Sequence, residues 1–167
     1  TALQMLNAYS TIANGGTLLQ PYVVKQVVSS AGETLYEGKP RRIIGRPIRP
    51  EVAATMRQLL TGVTEAGGTA LRAAVENYTV AGKTGTAQIW GAEGYSHTDY
   101  WASFVGFCPA AKPEFALIVV IQRPRQFHTG GAVAAPAFGR ITQAIAHYLE
   151  VPPDNMPEAE APEPEAP

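Results

Sequence analysis

Between Thr79 and Gln122 three runs rich in β-branched and aromatic residues follow one another: Thr79 to Gln88, Trp101 to Phe107 and Phe115 to Gln122. The loops between them hold Gly91, Gly94, Pro109 and Pro113, and short loops favour antiparallel neighbours. A three-strand meander is therefore expected. Helices are expected on both sides of it in sequence. Thr1 followed by Gln4 fits a capping box, and Leu3, Leu6, Ile12 and Ala13 hold an apolar stripe until Gly15-Gly16. Pro50 suits the first position of a second helix, whose stripe Val52, Met56, Leu59, Leu60 and Val63 runs to Gly67-Gly68. After a break at Gly130-Gly131, Phe138, Ile141, Ile145, Tyr148 and Leu149 mark a closing helix. The fold class is α+β, an antiparallel sheet flanked by helices.

The intervening segments are less regular. Tyr22 to Val28 and Glu33 to Tyr36, joined by Ser29-Ser30-Ala31-Gly32, predict a small hairpin. Residues 37 to 50, with Pro40, Pro47, Pro50 and four arginines, predict an extended surface connection. The last 16 residues contain six prolines and five acids with almost nothing apolar, so burial does not offset ordering entropy. Residues 1–150 are expected to form the folded part, and residues 151–167 a disordered, dispensable tail.

Composition narrows the function classes. With 167 residues, 46% hydrophobic and 16% charged, the chain suits one globular domain. The formal net charge of −1 is a split: residues 1–150 carry 13 basic against 9 acidic side chains, a mild +4. That lacks the clustered Lys/Arg of a nucleic-acid footprint, and no nucleic-acid partner is expected. Cys108 is the single cysteine, which rules out an intrachain disulfide, a Cys-x-x-Cys pair and a zinc site of Cys/His spacing. No apolar run approaches the roughly 20 residues of a membrane span, so any anchor is expected upstream.

Chemistry concentrates in Val80-Ala81-Gly82-Lys83-Thr84-Gly85-Thr86-Ala87-Gln88. A lysine, two hydroxyls and an interior glycine are poor choices for a purely structural strand. Period two puts Lys83 and Gly85 on one face, Thr84 and Thr86 on the other. At a sheet edge this strand offers an ammonium, hydroxyls and unpaired N–H groups, which together can hold a carboxylate and stabilise an oxyanion. A charge pair at 4 Å is worth roughly 4 kcal/mol at an effective dielectric of 20. Desolvation of both partners takes back several kcal/mol. The strand is expected at an edge with Lys83, Thr84 and Thr86 around a concave site, and Gly85 is expected to let a nucleophile-bearing helix come close.

Lys-Thr-Gly is one of three signatures of penicillin-binding proteins and serine β-lactamases. Around it, Thr1 to Gly16, Glu65 to Leu71 (EAGGTAL), Val80 to Gln88, Ala102 to Pro109 (ASFVGFCP) and Gly130 to Phe138 (GGAVAAPAF) resemble class B penicillin-binding proteins, with flanks nearest the division type. The resemblance runs from Thr1 to about Leu149. It implies the C-terminal portion of a transpeptidase domain that cross-links peptidoglycan stem peptides by serine acyl transfer. β-Lactams are then inhibitors, and division-complex membrane proteins are candidate partners. No metal or organic cofactor is implied, and the location is the outer side of the cytoplasmic membrane. By the same resemblance Lys83 and Thr86 are catalytic, Lys83 positioning the network and Thr86 N–H forming half an oxyanion hole. Thr84, Gly85 and Thr86 bind substrate.

The family's nucleophile element, Ser-x-x-Lys, does not occur: Ser10, Ser29, Ser30, Ser96 and Ser103 are followed three residues on by Ala13, Gly32, Glu33, Asp99 and Gly106. Ser-x-Asn is missing too. The chain thus reads as a piece that lacks the upstream remainder of its domain, inactive alone. Two rival readings share the motif: a serine β-lactamase or D,D-carboxypeptidase piece, and a non-catalytic module binding peptidoglycan or a division partner. Among other residues, Tyr95 to Tyr100 predict a polar loop bordering the cleft. His97 with Asp99 is a coincidence of spacing rather than a triad. His128 and His147 read as structural or solvent-facing, Trp101, Phe104 and Phe107 as core, and Cys108 as a small buried residue.

Overall fold

The computed structural model describes residues 1–39, 42–92 and 94–156. The first helix, α1 (Ala2–Ala13), starts at the expected capping box: Gln4 N–H donates to Thr1 Oγ1 (3.3 Å) and the Thr1 ammonium to Gln4 Oε1 (2.8 Å). It ends where Gly16, at φ +92°, returns its N–H to Thr11 O. A Cβ on Gly16 would sit 2.2 Å from Ile48 O, so this turn also seats the chain that leads into the second helix.

Two short antiparallel pairs follow. Strand β1 (Leu18–Leu19) pairs with β4 (Ile43–Gly45), and β2 (Gln26–Val28) pairs with β3 (Thr34–Glu37). The expected hairpin is present, yet its first strand begins at Gln26 rather than Tyr22, and Val23 is 98% exposed. The expected surface connection of residues 37 to 50 is corrected as well, since it carries β4; Pro40 and Arg41 within it lie outside the described residues.

Helix α2 (Pro50–Thr61) has Pro50 at its first position and Gly62 as C-cap. It stops short of the expected Gly67-Gly68. Val63 packs on the core from the loop, and Gly68, whose Cβ would lie 2.4 Å from Val63 O, lets that loop double back. A short 3₁₀ turn at Leu71–Ala73 precedes the sheet.

The sheet is the expected antiparallel meander of β5 (Ala81–Gly91), β6 (Gly94–Cys108) and β7 (Phe115–Gln122), in spatial order β5-β6-β7. Its first hairpin is longer than expected. Tyr95 to Tyr100 are strand rather than loop, because Trp90 and Tyr95 meet edge to face at 5.0 Å and Gly94 takes the positive φ of the turn. Side-chain parity then divides the core. On one face Phe104 meets Phe138 of α3 (Gly130–Tyr148) at 4.6 Å, with Val80, Ala134, Ala135, Leu117 and Val119 around them. On the other, Phe107 and Ala81 pack with Leu60, Met56, Tyr9 and Ile12 of α1 and α2. The sheet is thus covered by α3 on one side and by α1 with α2 on the other.

Two more expectations are corrected. Gly130 and Gly131 are not a break before α3 but its first turn. In the expected disordered tail of residues 151–167, Val151 is buried and Asp154 and Asn155 bond back to Asn77 and Thr79, as described below, whereas residues 157–167 lie outside the described residues.

Candidate active site

β5 is paired on one side only among the described residues, so it is the edge strand the sequence predicts. Which of its groups face outward follows from parity. Thr79 O accepts from Ala110 N (3.0 Å), on the β6 side, whereas Val80 O accepts from Thr64 Oγ1 (2.8 Å), away from it. Residues two apart in a strand share a direction. The N–H and C=O of Gly82, Thr84, Thr86 and Gln88 therefore project from the free edge. Thr84 O agrees, since it is reached by Lys83 Nζ at 3.3 Å.

Four side chains and one main-chain group converge on this edge. Lys83 starts on the α1/α2 face and bends around the strand, donating from Nζ to Thr84 Oγ1 (3.2 Å). Thr84 Oγ1 lies 3.3 Å from Thr69 Oγ1, on the loop that doubles back after α2. Thr86 Oγ1 accepts from Gly130 N–H (3.2 Å), the first N–H of α3. Thr129, the N-cap residue of α3, makes no side-chain cap of its own, so Thr86 does that work from the neighbouring strand.

Glycines permit the convergence. A Cβ on Gly130 would lie 2.1 Å from Ser103 O and 2.7 Å from Gly85 O, and one on Gly131 2.2 Å from Thr69 O. α3 therefore rests its backbone directly on β5 and on the Thr69 loop. A Cβ on Gly85 would meet Ser103 Oγ, the end of a side chain on the neighbouring strand, at 2.5 Å. Lys83 and Thr86 are exposed and Thr84 and Gly85 are half-buried, so the described residues form one open wall rather than a concave site. Two hollows of about 660 Å³ lie elsewhere, one behind α3 against Arg72, Glu76 and Arg140, the other between α1 and α2 against Ile12, Val52 and Met56.

The remaining candidates separate cleanly. His128 stacks on Tyr100 (4.6 Å, 25°), and Tyr100 faces Gln88 across the ladder on the face that carries Thr86. Asp99 pairs with Arg123 Nε at 3.0 Å and makes no bond to His97, whose carbonyl accepts from Tyr100. Cys108 has no accessible surface; burial, with the Asp154 carboxylate nearby, pushes its thiol up to about 12. It is no nucleophile. Sequence reasoning missed Thr69, Gly130 and Asp154 as neighbours of the motif. For the first two, Gly67-Gly68 before Thr69 and Gly130-Gly131 were the available signals, read as the end of one helix and as a break before another rather than as close approaches.

The family description "Penicillin binding protein transpeptidase domain" matches residues 1–143. The chain is 37% identical to penicillin-binding protein PbpB of Mycolicibacterium smegmatis, over 94% of this chain and 26% of that protein. It is 32% identical to peptidoglycan D,D-transpeptidase FtsI of Escherichia coli, over 93% of this chain and 25% of that protein. It therefore spans about a quarter of the length of these curated relatives. Among solved structures it resembles penicillin binding protein 3 of Mycobacterium tuberculosis complexed with ampicillin (TM-score 0.83, 32% identity, 95% of this chain and 37% of that one). It also resembles the transpeptidase domain of penicillin-binding protein 3 from Burkholderia pseudomallei (TM-score 0.75, 34% identity, 93% and 44%). With the motif, the mixed helix and antiparallel-sheet fold and these likenesses in agreement, the chain belongs to the penicillin-binding protein transpeptidase family.

Proposed function

We propose that the gene product carrying this chain is a peptidoglycan D,D-transpeptidase acting by serine acyl transfer, and that the free edge of β5 is its carboxylate- and oxyanion-binding wall. The observation that carries this is the hydrogen-bond direction along that edge. An ammonium only donates, so Thr84 Oγ1 accepts from Lys83; Thr86 Oγ1 accepts from Gly130 N–H. When Thr69 donates to Thr84, each hydroxyl accepts from the protein and donates to none of it, so both hydrogens are left to point at an incoming carboxylate. The Thr86 N–H projects from the same edge, beside them.

In this reading Thr84 and Thr86 hold the terminal carboxylate of a stem peptide ending in D-alanyl-D-alanine, and Gly85 keeps the backbone between them unobstructed. The serine of a Ser-x-x-Lys element outside these 167 residues attacks the penultimate carbonyl. Thr86 N–H, with the serine's own N–H, stabilises the resulting oxyanion, and Lys83 holds the network in place. Collapse breaks the C–N bond and releases D-alanine, and the ester then passes to an amine of a second stem peptide. A β-lactam enters as a mimic whose ring amide opens on the same serine.

The folded part is assigned to residues 1–150, extended at least to the docked segment that ends near Asn155. A location outside the cytoplasmic membrane and a role in cell division, with division-complex membrane proteins as partners, complete the proposal. No helix among the described residues is long and apolar enough to cross a membrane, so these residues supply no helical anchor.

Mass spectrometry after incubation with benzylpenicillin tests the central claim. The isolated chain should gain no covalent adduct, because orientation without an attacking atom leaves the barrier largely intact. The whole gene product should gain one persistent penicilloyl group. An adduct on the isolated chain would place the nucleophile among Ser10, Ser29, Ser30, Ser96 and Ser103 and overturn the assignment. Rapid hydrolysis of a chromogenic cephalosporin would instead mark a β-lactamase.

A further inference from the structure

The segment after α3 is built into the start of β5. Glu150, at φ +53°, turns the chain, and the N–H of Val151 returns to Ala146 O (2.9 Å). Val151 is buried, and its carbonyl accepts from Tyr78 Oη at 2.7 Å. Next, the N–H groups of Asp154 and Asn155 both donate to Asn77 O (3.2 Å each). The Asp154 carboxylate then takes both donors of Thr79: its N–H at 2.7 Å through Oδ1 and its hydroxyl through Oδ2.

Thr79, two residues before β5, is where the chain entering the strand most needs a partner. Its carbonyl and hydroxyl oxygens both accept from Ala110 N–H (3.0 and 2.9 Å), so its N–H faces the β6 side as well. β6, however, ends at Cys108, and the ladder has nothing further to give. Asp154 supplies the missing acceptor. Thr64 fastens the next residue through Val80 O from the opposite side. An edge strand with one neighbour is otherwise free to peel or slide, and Lys83 lies only four residues, about 13 Å, beyond Thr79.

We infer that Asp154 is a positioning residue for the acyl-transfer site: its carboxylate fixes the start of β5 and thereby the placement of Lys83, Thr84 and the Thr86 N–H. The inference rests on the transpeptidase reading. It assigns a task to a segment that composition alone marks as dispensable.

The test uses the whole gene product and benzylpenicillin, resolving the limiting acylation rate from the dissociation constant of the initial complex. A partial loosening should cost less than the roughly 10²-fold attached to an ångström of misplacement. Asp154→Ala should therefore lower the limiting rate about tenfold and change the dissociation constant less than about twofold. Asp154→Asn, whose Oδ1 still accepts from Thr79 N–H, should recover most of the rate. Deletion from residue 151 should match Asp154→Ala, and deletion from residue 157 should match the wild type. Amide hydrogen exchange across residues 80–86 gives a second readout and should quicken in Asp154→Ala. A normal acylation rate and unchanged exchange in Asp154→Ala would overturn the inference, as would a normal rate with only a lowered unfolding midpoint. If the wild type itself takes no acyl group while Asp154→Ala still speeds exchange, the transpeptidase reading is what has failed.

Discussion

β5 and the β2–β3 hairpin both present unpaired strand edges among the described residues, and they treat those edges in opposite ways. Along β5 the outward groups are polar and fastened: Val80 O to Thr64, Thr84 to Lys83 and Thr69, Thr86 to Gly130. The hairpin instead shows apolar side chains on both faces, with Val27, Val28, Leu35 and Tyr36 exposed, and its side-chain bonds are local ones: Gln26 to Thr34 (2.8 Å) and, in the turn, Glu33 N–H to Ser29 Oγ (3.1 Å). An edge that must hold a ligand at fixed geometry needs each polar group constrained by a neighbour, and the neighbours come from distant parts of the chain. Among the described residues the hairpin's side-chain bonds are all made within itself.

Substitutions can break or sharpen this contrast. In the whole gene product Lys83→Ala should slow acylation by about 10² to 10³-fold, the scale of losing one preorganised polar group at an oxyanion site. Labelling with a fluorescent penicillin reads it, and an unchanged rate would make the β5 edge as inert as the hairpin. Thr69→Val removes a single neutral hydrogen bond worth about 0.5 to 1.5 kcal/mol, so acylation should fall roughly 3- to 10-fold. A normal rate would show that Lys83 alone orients Thr84.

Cys108 supplies a pH test on the fastened side. Its folded-state thiol is raised to about 12, above the ordinary value near 9, so between those values the folded chain binds more protons than the unfolded one. Stability from this group is complete below about pH 9 and is lost as pH rises toward 12. Urea midpoints at pH 8, 10 and 11 should therefore fall more steeply for the wild type than for Cys108→Ala; parallel slopes would contradict the buried, neutral thiol. The smallest effect is expected at the hairpin. Val27→Thr with Leu35→Thr should move stability by no more than about 0.5 kcal/mol and leave acylation unchanged. A large loss there would mean that the hairpin is covered in the whole protein.

The sequence showed most where periodicity is long or a residue type is unusual. The capping box at Thr1, the proline at position 50 and the three strands of the meander were all readable, as was the Lys-Thr-Gly strand at an edge. The β1–β4 pair was not, because strands of two and three residues carry no period to detect. Tyr95 to Tyr100 looked like a loop for their polarity, yet a hairpin that extends beyond the core needs no apolar alternation. The site's supports were hidden for another reason. Thr69, Gly130 and Asp154 meet β5 from 15, 44 and 75 residues away, and nothing local to each announces the contact. Composition was even misleading at Asp154, where proline and acid suggested a tail without contacts.

The seat of α3 on β5 has one further consequence. The first turn of this 19-residue helix delivers the positive end of its backbone dipole to Thr86, equivalent to roughly half an elementary charge. That charge belongs to the main chain. It does not titrate, cannot be acetylated and survives any side-chain replacement that leaves the two glycines in place. On the proposed function, part of this edge's attraction for a carboxylate is thus inherited as backbone geometry, through Gly130 and Gly131, and would go unnoticed in any reading that looks for function only in charged residues.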